Sequence, residues 1–139
     1  GITDFVPIVW DPKEPDANLI EPALAQMLRT VVWTVYHELG AGFVHRVYVN
    51  ATHVELRQQQ ISFQRYRKLK VLHRGREIGM FTFHHYVIDN RILLAPVTIA
   101  MVGVSEVRKV RALLHQYNVS LGMIVNFQNE KLEVMYVKK

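Results

Sequence analysis

Apolar residues between Pro22 and Gly42 fall at Leu24, Met27, Leu28, Val31, Val32, Val35 and Leu39. These spacings of three and four predict an amphipathic helix. Pro22 suits its first turn, and Gly40 and Gly42 suit its end. A second helix is expected from about Phe43 to Gln59, carrying Val44, Val47, Tyr48, Ala51, Val54 and Leu56. The period then shortens to that of strands. Residues 61–73 include the alternating basic stretch Arg65-Tyr66-Arg67-Lys68-Leu69-Lys70, and Arg74-Gly75 reads as a hairpin turn into a strand over 77–88. Asp89-Asn90 is a second tight turn. Residues 91–101 are almost wholly apolar, as in a central strand buried on both faces. Pro96 within that run predicts a bulge or an edge, because a central strand uses its amides. Ser105 is expected as an N-cap with Glu106 in the first turn, and the helix runs to about Tyr117 through Val107, Val110, Leu113 and Leu114. Val119 to Phe127 and Leu132 to Val137 complete the pattern as strands about the Gln128-Asn129 turn. The order is ααβββαββ, an α/β layout with a mixed sheet flanked by helices.

Residues 1–22 differ from the rest. Pro7, Pro12, Pro15 and Pro22 interrupt helix formation, and Phe5 to Trp10 is too apolar for a free tail. The division expected is an acidic, proline-rich arm or linker over 1–22, docked on the domain or on a partner, and one α/β domain over 23–139. A chain of 139 residues fits a single domain. Charge follows the same boundary. The arm holds five acids against Lys13, a net −4; the body holds sixteen Lys and Arg against seven acids, a net +9. A body of that charge favours polyanions, acidic protein surfaces or anionic ligands. The chain has no cysteine, which excludes disulfides, thiolate zinc sites, iron–sulfur clusters and a cysteine nucleophile. No apolar run reaches the ~20 residues of a transmembrane helix, and Gly1 to Trp10 does not read as a signal peptide. No membrane association is expected, and a cytoplasmic location is.

Val35-Tyr36-His37-Glu38-Leu39-Gly40-Ala41-Gly42, then Val47-Tyr48, Glu55-Leu56-Arg57 and Ile61-Ser62-Phe63, resemble in order and spacing the GxxExxY protein family of the PD-(D/E)XK nuclease-like superfamily. Gly75, Ile78 and Gly79 fit that family's hairpin, Asp89-Asn90-Arg91 its next turn, and Leu121 to Phe127 its "L-G-L-L-I-N-F" strand. The resemblance covers about residues 24–137 and implies the nuclease-like fold. Active members cut nucleic acid with a divalent metal held by carboxylates, beside a lysine at the attacking water. Carried over position by position, the family's motif glutamate falls on His45 and its aspartate on His85. Its E-x-K element falls on Ala95-Pro96-Val97 and its helix glutamine on Lys109. Every one of these positions is replaced. A slip of one residue restores nothing, because residues 91–105 contain no Asp, Glu or Lys. The resemblance with these replacements implies a degenerate member with no metal-dependent cleavage, no catalytic residues and no magnesium.

What remains is binding. The first expectation is a catalytically inactive module acting as a protein-interaction, scaffold or regulatory domain, with a protein partner or a second copy of itself. Trp33 and an exposed Tyr36 would supply anchor area. The alternative is non-cleaving nucleic-acid binding, with Arg65, Arg67, Lys68 and Lys70 on a strand and Arg108, Lys109 and Arg111 on a helix as phosphate contacts. Tyr66 and Tyr117 would be stacking platforms in that reading. A third reading places His45 and His85 side by side in the former active site, where imidazoles would hold zinc or haem iron. No third ligand is evident there, and Lys109 would repel a cation. His84 is expected on the opposite face of its strand.

Overall fold

The computed structural model describes residues 20–139, together with the backbone of Ile8 and Val9. The elements are β1 (Ile8–Val9), α1 (Pro22–Leu39), α2 (His45–Gln58), β2 (Phe63–His73), β3 (Arg76–Ile88), β4 (Ile92–Val97), α3 (Val104–Tyr117), β5 (Leu121–Asn126) and β6 (Leu132–Lys138). From α1 onward this is the expected ααβββαββ order. The mixed sheet runs β1-β6-β5-β4-β3-β2. β2, β3 and β4 pair antiparallel in sequence, α3 carries the crossover to parallel β5, and β6 returns antiparallel. β1 adds a parallel two-residue strand outside β6. The rest of the expected 1–22 arm lies outside the described residues up to Leu19.

Each face of the sheet has its own core. On one face Leu24, Leu28, Val31, Val32, Val35 and Tyr36 of α1 and Tyr48, Val49 and Leu56 of α2 pack on Tyr86, Ile88, Leu94, Met123 and Val125. On the other, Val110, Leu113 and Leu114 of α3 cover Val87, Leu93, Ala95, Val97 and Ile124. β4 and β5 are buried throughout, as strands covered on both faces must be. Gly122 is where α3 comes closest, since a Cβ there would stand 2.5 Å from Val110 Cγ1.

Local differences from the sequence expectations have simple causes. Tyr36 is buried, 1% exposed, and donates its hydroxyl to the Asn129 carbonyl, whereas Met27 is 48% exposed. The α1 core stripe is therefore rotated from Met27 toward Tyr36, and Tyr36 is a core residue rather than a surface anchor. The N-cap of α3 is Gly103 rather than Ser105: Glu106 Oε1 accepts the Gly103 amide at 2.8 Å, and Gly103 O accepts Val107 N–H at 3.2 Å. The carboxylate satisfies the amide of the N-cap residue itself, which is one half of a capping box; glycine has no hydroxyl to supply the other half. The apolar run over 91–101 is a strand only to Val97.

Both predicted turns are present, with both central residues in the left-handed region: φ 51° and 75° at Arg74 and Gly75, and 50° and 56° at Asp89 and Asn90. These are the mirror-image turns that match strand twist. Pro96 sits in neither a bulge nor an edge strand. The β3–β4 ladder ends at Tyr86 opposite Leu94, two residues before Pro96. Phe127 N–H takes the Val97 carbonyl on the β5 side at 3.0 Å. By alternation the Pro96 main chain faces the β3 side, where β3 has already diverged. The missing amide leaves no ladder position empty.

Candidate functional site

The divergence of β3 from β4 opens a cleft of about 270 Å³ between the end of that ladder, the start of α2 and the first turns of α3. Its walls include His45, Phe83, His84, Pro96, Ile99 and Lys109, with Thr82, Val97, Thr98 and Glu106 completing them. The β2–β3 ladder also shifts register between Tyr66 and Lys68, opposite Phe83 and His84. Such irregularities re-aim side chains beside a site.

His45 is delivered by the turn between α1 and α2. Gly40 and Gly42 take φ of 69° and 110° there, which side chains with a Cβ rarely adopt. Tyr48 closes the turn: its hydroxyl donates to Gly40 O and accepts Phe43 N–H at 3.2 Å, while its ring stacks on Phe127 at 4.7 Å. The glycines and the tyrosine of the resemblance thus hold the first residue of α2 in place. His45 Nε2 donates to the Pro96 carbonyl at 2.8 Å, so its proton sits on that nitrogen.

The partner of His45 is His84, not His85. The His45 and His84 rings lie 5.4 Å apart, edge to face. His84 Nδ1 is buried with no hydrogen-bond partner. Burial first, then the neighbouring His45, Arg65 and Arg67, lowers the pKa of His84 and favours its neutral form. His85 points to the α3 side, as strand alternation requires. It is fully buried, donates from Nδ1 to Phe83 O at 2.6 Å and accepts the Tyr117 hydroxyl at Nε2 at 2.9 Å. Its ring stacks on Tyr66 at 5.5 Å. Burial lowers its pKa, opposed by the Phe83 carbonyl and assisted by His84. Burial likewise pushes Tyr117 up to about 12, with Tyr66 adding to the shift. The expected His45–His85 pair is therefore corrected: a zinc or haem site built on both would need ligands that point to opposite faces of the sheet.

Of the other positions carried over from the resemblance, Val97 and Lys109 reach the cleft and Ala95 lies in the α3-side core. Lys109 Nζ stands 5.2 Å from the Phe81 ring centre and 5.8 Å from that of Phe83, within cation–π range. The basic residues do not share one face. Arg65 is held against α2 by Asn50 Oδ1 at 2.7 Å and His53 Nδ1 at 3.3 Å. Arg111 bonds the Lys138 carbonyl at 3.1 Å, while Arg67, Lys68, Lys70 and Arg108 are exposed. Tyr66 and Tyr117 pack on each other at 5.0 Å around His85, so their rings are engaged with protein.

Sequence reasoning had not singled out Thr82, Phe83, Thr98 and Ile99 as cleft residues. Nor had it found Asn126, which is fully buried. Asn126 accepts Ile99 N–H and Gln128 N–H at Oδ1 and donates to Ile99 O and Glu133 Oε1. It fixes the strap from β4 to α3, and with it one cleft wall. A buried asparagine at the C-terminal end of an apolar strand was the available signal.

The cleft does not suit a hard dication. Magnesium prefers an octahedron of oxygens. The charged and imidazole groups of the wall are two histidines, an ammonium and one carboxylate, beside the neutral hydroxyls of Thr82 and Thr98, and that carboxylate already accepts the Gly103 amide. Among the described residues no group of three or more His, Asp or Glu could hold a metal ion. No described helix is long and apolar enough to cross a membrane.

Neither a curated protein nor a solved structure matches this chain. A family profile described as the PD-(D/E)XK nuclease superfamily matches residues 22–138, from the first residue of α1 to the last of β6. The splayed sheet, the glycine turn and Tyr48 locking it lie within that span, and the chain belongs to the PD-(D/E)XK nuclease superfamily.

Proposed function

We propose that this chain is a nuclease-fold module that binds a protein partner and does not cut nucleic acid, acting in the cytoplasm as a scaffold or regulatory domain. The observation that carries the binding reading is the β2–β3 hairpin. β3 meets β4 only from Tyr86 onward, so the preceding residues 76–85 have β2 as their one neighbouring strand and project from the sheet. Toward the tip Val71, Leu72, Ile78 and Met80 are exposed by 36%, 49%, 65% and 46%. Four large apolar side chains grouped on a projection suit a contact surface better than solvent. The loss of cleavage is supported by the cleft chemistry, where His45, His84 and Lys109 stand in place of an oxygen cage.

Two measurements test this. Purified chain incubated with supercoiled plasmid and magnesium or manganese should leave the plasmid intact; nicking that disappears in a His45→Ala, His84→Ala pair would end the non-cleaving reading. A photo-crosslinking residue at position 78 in the producing cell should give a discrete polypeptide adduct, whereas one at exposed Arg108 should not. Absence of any adduct at 78 would remove the protein-binding reading.

A second reading, nucleic-acid binding, is favoured by Lys109 in the cleft and by Arg65 and Arg67 close enough to lower the pKa of His84. Phosphate contacts of this kind must weaken as salt rises. Anisotropy titrations with single- and double-stranded oligonucleotides at several salt concentrations should show a Lys109→Glu-sensitive complex if this reading holds.

A further inference from the structure

We infer that the outer edge of β2 receives an extended acidic segment of a partner protein as an added strand, with acidic and apolar residues alternating along it. This rests on the protein-binding reading above and names the partner's chemistry. Among the described residues β2 has one neighbour, β3, so its other edge lies open along Phe63–His73. Gln116 of α3 reaches a single carbonyl in this stretch, that of Lys70, at 3.0 Å. A strand added there would gain main-chain hydrogen bonds, and alternate side chains would set its specificity.

The side chains of β2 state what that strand must carry. Lys68 and Lys70 lie opposite Thr82 and Met80 of β3, and both lysines are exposed. Leu69 and Val71 lie opposite Phe81 and Gly79 and face the α3 side, where Leu69 is 3% and Val71 36% exposed. Cross-strand neighbours on one face interact directly, with opposite charges attracting and like charges repelling. An incoming strand therefore meets two ammonium groups on one face and an aliphatic border on the other.

The same pattern excludes the commonest unwanted occupant. Two copies joined at their β2 edges would bring the cations Arg67, Lys68 and Lys70 of one against those of the other, and lysine on an edge strand opposes such pairing. An acidic strand meets the reverse situation. The edge is thus closed to its own kind and open to a chain of opposite charge. The four residues at the tip, His73-Arg74-Gly75-Arg76, extend the cationic field beyond the apolar border.

The test uses the whole chain and a fluorescent ten-residue peptide of alternating glutamate and valine. Saturable binding is expected, weakening as salt rises. The pair Lys68→Glu, Lys70→Glu should weaken it at least tenfold, and Lys68→Gln, Lys70→Gln by a smaller factor. Thermal unfolding of each variant checks that the fold is kept. A peptide N-methylated at alternate residues on its pairing edge keeps its charge and loses its donors, and it should not bind. Equal binding of the methylated peptide would overturn the proposal, since charge alone would then suffice. So would insensitivity to both lysine pairs, or an oligonucleotide bound through the same lysines while the peptide is ignored. Failure of the peptide together with a retained adduct at position 78 removes the added strand and leaves the protein-binding reading standing.

Discussion

At the scale of single residues, His85 is the informative position. Its Nδ1 proton is committed to a carbonyl and its Nε2 to a phenol, so the folded protein holds it neutral. Its pKa lies below the ordinary 6.5, chiefly through burial. An unfolded chain takes up a proton there once the pH falls below 6.5, and the folded chain does so only at lower pH. Stability is therefore fully present above about pH 6.5 and declines as pH falls toward the folded value. His53 and His84 are shifted in the same direction, also by burial first, and add to the effect. Urea unfolding between pH 8 and pH 5 should show this decline, and His85→Phe should flatten the slope while lowering stability throughout. An unchanged slope would assign the acid loss to the other two histidines. Gly122 gives a second expectation. The α-carbon faces Val110 Cγ1 with no space for a methyl, so Gly122→Ala should cost about 1–3 kcal/mol by overpacking, read as a lower urea midpoint at unchanged m-value.

At the scale of elements, α3 depends on a cap that its sequence partly conceals. Glu106→Ala leaves the Gly103 amide without its carboxylate and should reduce stability by about 1 kcal/mol, whereas Ser105→Ala should stay within about 0.5 kcal/mol. The existence of helices and strands was legible in the sequence: apolar spacings of three and four mark α1, and short, mostly apolar runs bounded by turn residues mark β4 and β5, although the 91–101 run overstated the length of β4. The turns were legible because Gly75, Asp89 and Asn90 are residues that tolerate left-handed backbone; Arg74 takes it up beside Gly75. The faces of β3 were legible only in part. Alternation separates His84 from His85, but the choice of which histidine meets His45 depends on where β3 parts from β4 and how α2 begins. The way α2 begins leaves no mark on the local pattern. Pro96 was a visible sign of that parting, readable only once its neighbours were known. The wall formed by Phe83, Thr98 and Ile99 was hidden for the same reason, because contacts between segments distant in sequence define it.

At the scale of the molecule, stability should be graded from the sheet centre to the hairpin. Strands β4 and β5 are buried on both faces, while residues 69–82 end in a two-stranded projection with exposed side chains. Native-state hydrogen exchange should be slowest in β4 and β5 and faster by orders of magnitude in residues 70–80; uniform protection would indicate that the hairpin is covered in solution. The stack of Tyr66, His85 and Tyr117 limits what position 85 can hold. By the register of the resemblance, His85 occupies the place of a metal-binding acid, and it lies fully buried between two aromatic rings. An aspartate there would be a buried anion facing the Phe83 carbonyl with the Tyr117 hydroxyl beside it, and a glutamate in place of Ala95 would enter the α3-side core. Either substitution should therefore lower the urea midpoint of the chain, since the fold would first have to bury the charge it introduces.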